Sequence, residues 1–135
     1  MKKFMALVGA LVMVLVLVSC DSTPEHTLVY ERGELTTTEI NGEDVPSIYV
    51  YTEYTNDSGE SALPADWVSV KVYQHGVEQP VFVMTGDKVG EYVQCDTSIQ
   101  TGTTAKVVWT FYREDESEVS VELSDGTTYT IGGQS

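Results

Sequence analysis

Four stretches of this sequence alternate apolar and polar side chains residue by residue. Ile48, Val50, Thr52 and Tyr54 interleave with Tyr49, Tyr51, Glu53 and Thr55, and Val68, Val70 and Val72 with Ser69, Lys71 and Tyr73. Ala105, Val107, Trp109 and Phe111 interleave with Lys106, Val108, Thr110 and Tyr112, and Val119, Val121 and Leu123 with Ser120, Glu122 and Ser124. A period of two puts successive side chains on opposite faces of a strand, so one apolar face per run predicts antiparallel sheets that pack on one side. Composition agrees. After Ser19, Val, Thr, Ile, Tyr, Phe and Trp make up 47 of 116 residues, while Leu and Ala supply only 7. β-Branched and aromatic side chains suit a pleated surface, and Ala and Leu are the favoured helix formers.

Turn residues punctuate the runs at Asn41-Gly42, Asn56 to Gly59, His75-Gly76, Thr101-Gly102 and Asp125-Gly126. The last permits a test of register. A two-residue Asp-Gly turn would put Tyr129 and Ile131 on the polar face. A three-residue loop, Ser124-Asp125-Gly126 with the glycine left-handed, pairs Val121 with Tyr129 and Val119 with Ile131 and keeps apolar residues together. Seven to eight short strands in about 110 residues predict an all-β fold, an immunoglobulin-like antiparallel β-sandwich. Trp109 is expected as its central aromatic, and Trp67, after Pro64-Ala65-Asp66, is also assigned to the core.

The chain starts with Lys2 and Lys3 ahead of an apolar run, Phe4 to Val18, that is too short for the roughly 20 residues a spanning helix needs. It fits the hydrophobic region of a secretory signal peptide. Leu17-Val18-Ser19-Cys20 follows and resembles the lipobox of bacterial lipoproteins. The resemblance implies that the Cys20 thiol takes diacylglycerol and that a peptidase cuts between Ser19 and Cys20. Residues 1–19 are then the leader, 20–26 the lipidated cysteine and its tether, and 27–135 the domain. A six-residue tether, Asp21 to His26, spans at most about 22 Å. The expected location is the extracytoplasmic face of a bacterial cell membrane. Cys95 would be the one thiol left to the domain, expected buried and inert on a strand.

Charge narrows the partners. The whole chain carries 21 acidic against 7 basic residues, a net −14, and loss of the leader takes this to −16. A phosphate backbone needs a basic footprint, so nucleic acid is not an expected partner. The run Glu114-Asp115-Glu116-Ser117-Glu118 has no glycine inside it and no EF-hand spacing, and reads as a solvated hairpin tip. Asn56-Asp57-Ser58-Gly59-Glu60 reads as an Asx turn. His26 and His75 have no second histidine or cysteine at ligand spacing, so no metal and no cofactor is expected. No Gly-x-Ser-x-Gly elbow occurs, and no catalytic residue is assigned. Tyr49, Tyr51, Tyr73 and Tyr112 fall on the outward faces and are the candidate interaction surface, since tyrosine is enriched in protein interfaces. Ordinary cross-strand packing on a half-exposed sheet is the competing explanation.

From Val45 to Ile131 the order of features resembles a family of small secreted lipoproteins of Gram-positive bacteria. Its members carry a telokin-like, immunoglobulin-like domain of unknown function. The matching residues are Tyr54-Thr55-Asn56-Asp57-Ser58, Val70 to Glu78, Ile99-Gln100-Thr101-Gly102 and the strand Thr104 to Phe111. Asp57, His75 and Thr101 stand where the family has Asn, Asn and Pro, and each suits its turn. The resemblance implies the fold and brings no catalytic residue or ligand. The expected function is a membrane-anchored, non-catalytic interaction module with a protein or cell-wall glycan partner. The alternative is a cell-wall carbohydrate or calcium-dependent ligand-binding domain.

Overall fold

The computed structural model describes residues 24–84 and 86–132. The leader, Cys20 and the tether as far as Thr23 lie outside the described residues. The elements in chain order are β1 (His26–Ile40), β2 (Glu43–Asn56), α1 (Pro64–Trp67), β3 (Val70–Gln74), β4 (Val77–Glu78) and β5 (Val81–Phe82). Then come β6 (Lys88–Val89), β7 (Tyr92–Gln94), β8 (Thr103–Tyr112), β9 (Val119–Leu123) and β10 (Thr128–Ile131). A large sheet has the order β1-β2-β8-β7-β6, with β5 also pairing on β8, and a small sheet has the order β10-β9-β3-β4. The two pack face to face as an all-β, immunoglobulin-like sandwich.

The core lies where the alternation puts it. Ile48, Val50 and Tyr54 of β2 and Val107, Trp109 and Phe111 of β8 meet Val70, Val72, Val119, Val121, Leu123 and Ile131 of the small sheet. Thr52 is polar in this layer and is satisfied within it: Trp109 Nε1–H donates to Thr52 Oγ1 at 3.0 Å, and that hydroxyl donates to the Val107 carbonyl at 2.9 Å. The last hairpin has the expected bulged register, with Val119 opposite Ile131 and Val121 opposite Tyr129. Gly126 sits at φ +92°, where L side chains are strained, and donates to the Leu123 carbonyl at 2.9 Å.

Five features differ from the sequence-based expectations. Ten strands occur among the described residues, three of them two residues long, rather than seven or eight. The large sheet is mixed, because β7 runs parallel to β8. Its outer face is also packed: Tyr49, Tyr51, Tyr92 and Val108 form a second buried cluster there. That extra layer exists because the chain leaves β8's edge after β5 and returns as β7, bringing Tyr92 over the outer face. Trp67 is not in the core. It ends the single turn of α1 with 59% of its surface exposed, one ring face stacked on His26 at 4.2 Å. Cys95 is buried as expected, immediately past β7 rather than on a strand, and burial pushes its thiol up to about 11.

Candidate functional site

The outer face of the large sheet is floored by aromatic rings and surfaced by charges. β1 and β2 form a hairpin closed by Asn41-Gly42, both at positive φ, the geometry of a two-residue turn. That turn sets Glu34 opposite Tyr49 and Arg32 opposite Tyr51. The register then shifts between Tyr30 and Arg32, leaving Glu31 as an extra residue in β1. A bulge re-aims its side chain, and the Glu31 carboxylate reaches over β2 to meet Lys106 of β8 and the hydroxyl of Tyr92 from β7.

Two linked clusters result. In the first, the Tyr51 hydroxyl donates to Glu34, and the Arg32 guanidinium lies over the Tyr51 ring, 3.9 Å from its centre. In the second, the Tyr92 hydroxyl donates to Glu31 Oε1, and Lys106 Nζ donates to Glu31 Oε2 at 3.1 Å and to Glu53 Oε2 at 3.3 Å. Lys106 also stands 5.4 Å above the Tyr92 ring. Tyr51 and Tyr92 meet edge to face at 4.7 Å, which joins the clusters. Nearer the hairpin tip, Thr38 Oγ1 bonds Tyr49 Oη at 2.6 Å and Ser47 Oγ at 2.8 Å.

The protonation of these groups follows from their neighbours. The Tyr92 hydrogen bond, followed by those of Lys106, holds Glu31 below the usual glutamate range. Burial, then the Glu34 carboxylate, pushes the Tyr51 phenol far above its ordinary value. The Glu31 carboxylate raises the Tyr92 phenol and Lys106 as well. Glu31 is therefore ionised, the Tyr51 and Tyr92 phenols neutral and Lys106 charged at neutral pH.

The four candidate tyrosines are not brought together as one exposed surface. Tyr49 and Tyr51 are on the expected face but only 8% and 3% exposed, because Arg32, Glu34 and Tyr92 lie across them. Tyr112 is on the same sheet, 42% exposed, with its ring 4.8 Å from Phe82. Tyr73 belongs to the small sheet, with its hydroxyl 3.4 Å from Glu122. What the large sheet presents on this face is the charged layer over the rings. Arg32, Glu34 and Lys106 are residues that strand alternation alone did not single out, yet counting outward from the Asn41-Gly42 turn places two of them.

The acidic loops are satisfied from within. Asp115 accepts from His75 Nε2 at 2.8 Å and from the Ser117 N–H at 2.8 Å, which pulls its carboxyl down to about 2 and raises His75. Arg113 donates to Glu116 at 2.6 Å and to the carbonyls of Ser47 and Thr36, tying the loop to the β1–β2 hairpin. Asn56 and Ser58 make the expected Asx turn. Among the described residues, no three His, Cys, Asp or Glu side chains gather as a metal ion would require.

The family model described as a domain of unknown function (DUF5067) matches residues 24–125, a span that holds β1 through β9. The chain belongs to that family. In this DUF5067 member, the match takes in the whole tyrosine-floored face and stops short of β10. No curated protein and no solved structure matches the chain.

Proposed function

We propose that this chain is a lipid-anchored, extracytoplasmic and non-catalytic interaction module, displayed on the outer side of a bacterial cell membrane. The lipobox-like Leu17-Val18-Ser19-Cys20 supports the anchor: diacylglycerol on Cys20 gives two acyl chains, each worth about 0.8 kcal/mol per buried CH₂. The folded region takes hold at Glu25, whose carbonyl accepts from the Asp57 N–H at 2.7 Å. Four residues, Asp21 to Pro24, are left as tether, at most about 14 Å.

The observation that supports binding is the charged lattice over Tyr51 and Tyr92. Arg32 keeps 58% of its side chain exposed while its guanidinium lies over the Tyr51 ring, and Glu34 and Glu53 are 44% and 41% exposed. Yet buried phenols and rings hold these charges in place. Charges fixed before contact lose little freedom when a partner arrives, and a complementary charge pattern selects that partner. Because the rings are capped by the protein's own cations, recognition by charge and hydrogen bonding is favoured over stacking on sugars.

The test is crosslinking on intact cells that display the lipidated chain, with mass spectrometry of what is recovered. One reproducible protein partner, lost with Arg32→Glu while that variant keeps its melting temperature, is the expected result. Recovery of cell-wall glycan alone, or a partner indifferent to Arg32→Glu, would overturn this reading of the face.

A further inference from the structure

One side of the sandwich is left ajar. On that side β4 pairs with β3 only at Tyr73 and Gln74. The chain then crosses from the small sheet to the large one at Gln79-Pro80 and pairs with β8 as β5. Below the crossing lies a groove of about 450 Å³, lined by Val70, Glu78, Gln79, Pro80, Val81 and Phe111. Apolar exposure concentrates beside it. Val77 (58%), Val81 (52%) and Val83 (39%) are three of the six large apolar side chains most exposed among the described residues. Scattered apolar residues need no explanation, but a cluster along two strand edges marks a contact surface.

The backbone there is also open. The Tyr112 N–H donates to the Pro80 carbonyl at 2.9 Å, and the Gln79 N–H to the Val72 carbonyl at 2.9 Å. Backbone groups alternate sides along a strand. Val81 therefore turns its N–H and C=O away from β8, and Glu78 turns its own away from β3. Natural edges are usually blunted by charge, bulge or cover. Among the described residues, β5 is blunted only by its shortness and by Pro80.

We propose that this edge docks an extended segment of another protein, alternating apolar and basic residues, which adds as a strand beside β5. Its apolar side chains fill the groove against Val70, Val81 and Phe111, and its cations lie in the field of Glu78, which stands beside Tyr73 at the groove's rim. Charge selects this occupant. The chain is strongly acidic, Glu78 stands at the groove, and Tyr112 leads within two residues into Glu114 to Glu118. A second copy would set Glu78 and a net −14 against themselves. Main-chain hydrogen bonds supply affinity in such strand addition, and alternate side chains supply specificity. The site lies apart from the charged face and holds whether or not Cys20 is lipidated.

The test uses the full chain in detergent micelles and three peptides: an acetylated, amidated (Lys-Val)₄, its form N-methylated at every valine, and (Glu-Val)₄. The first is expected to bind with a Kd below about 1 mM and the other two at least about tenfold more weakly. Glu78→Lys and Val81→Lys, both at exposed positions, are expected to weaken the first peptide about tenfold, while Glu39→Lys on the distant hairpin tip does not. Thermal melts establish that each variant is folded. No binding of the first peptide would overturn the proposal, as would equal binding of the N-methylated form or equal effects of Glu78→Lys and Glu39→Lys. Self-association abolished by Val81→Lys would also overturn it, replacing the peptide with a second copy.

Discussion

Thr52 sits at the centre of the core with no exposure, and its hydroxyl is what lets an indole be buried beside it. Replacing it with the isosteric valine removes the acceptor of Trp109 Nε1–H and leaves that donor unpaired. An orphaned buried donor costs about 1–3 kcal/mol, so Thr52→Val should lower the stability measured by urea unfolding by that amount. Trp109→Phe in the Thr52→Val background should then cost less than it does in wild type. His75 and Asp115 show the opposite situation, an exposed pair. His75 is raised by Asp115, so its contribution is full below its unfolded value of 6.5 and is lost as pH climbs through the raised value. Asp115 is lowered, so its contribution is present above 3.8 and lost as pH falls towards about 2. The two act together between 3.8 and 6.5, and weakly, because water screens both. An NMR titration should find His75 above its ordinary pKa, and Asp115→Asn should return it there.

Strand β1 binds the outer layer together more than its edge position suggests. Glu31 is aimed by the bulge, and its carboxylate joins Tyr92 of β7 to Lys106 of β8. Tyr92→Phe removes the bond that most lowers Glu31, at a cost on the order of 1 kcal/mol at neutral pH. A lowered carboxyl stabilises above its unfolded value of 4.5 and ceases to as pH falls through its folded value. The gap between Tyr92→Phe and wild type in urea melts should therefore shrink as pH drops below 4.5. Gly33 makes the inner counterpart. A Cβ there would overlap Ile131 Cδ1, whose side chain occupies the space beside β1. Gly33→Ala should destabilise by about 1–3 kcal/mol, the usual cost of overfilling a packed site, and Ile131→Val in addition should restore part of it in thermal melts.

At the scale of the whole molecule, local patterns were legible and returning chain was not. Period-two alternation placed the core residues of β2, β3, β8 and β9, and the choice of loop at Asp125-Gly126 placed β10 in register. Both depend only on neighbours in sequence. The outer layer depends on Tyr92 coming back beside β8 after the excursion that starts at β5, a long-range pairing that no local period records. For that reason Tyr49 and Tyr51 read as exposed and are buried. Trp67 erred the other way: a large indole is assigned to a core by its size, but here one face finds His26 and the other finds water. Arg32 and Glu34 were within reach of the hairpin count from Asn41-Gly42, whereas the bulge at Glu31 has no signal in residue type.

No helix among the described residues is long and apolar enough to cross a membrane. The anchorage proposed above rests on a single atom, the Cys20 sulfur. The measurement to make is metabolic labelling with an alkyne fatty acid, followed by membrane fractionation of wild type and Cys20→Ser. Label and protein together in the membrane fraction for wild type, with label absent from Cys20→Ser and that protein released or unprocessed, is the expected result. Equal labelling of the two, or a wild-type chain that takes no label, would contradict the lipid-anchored module.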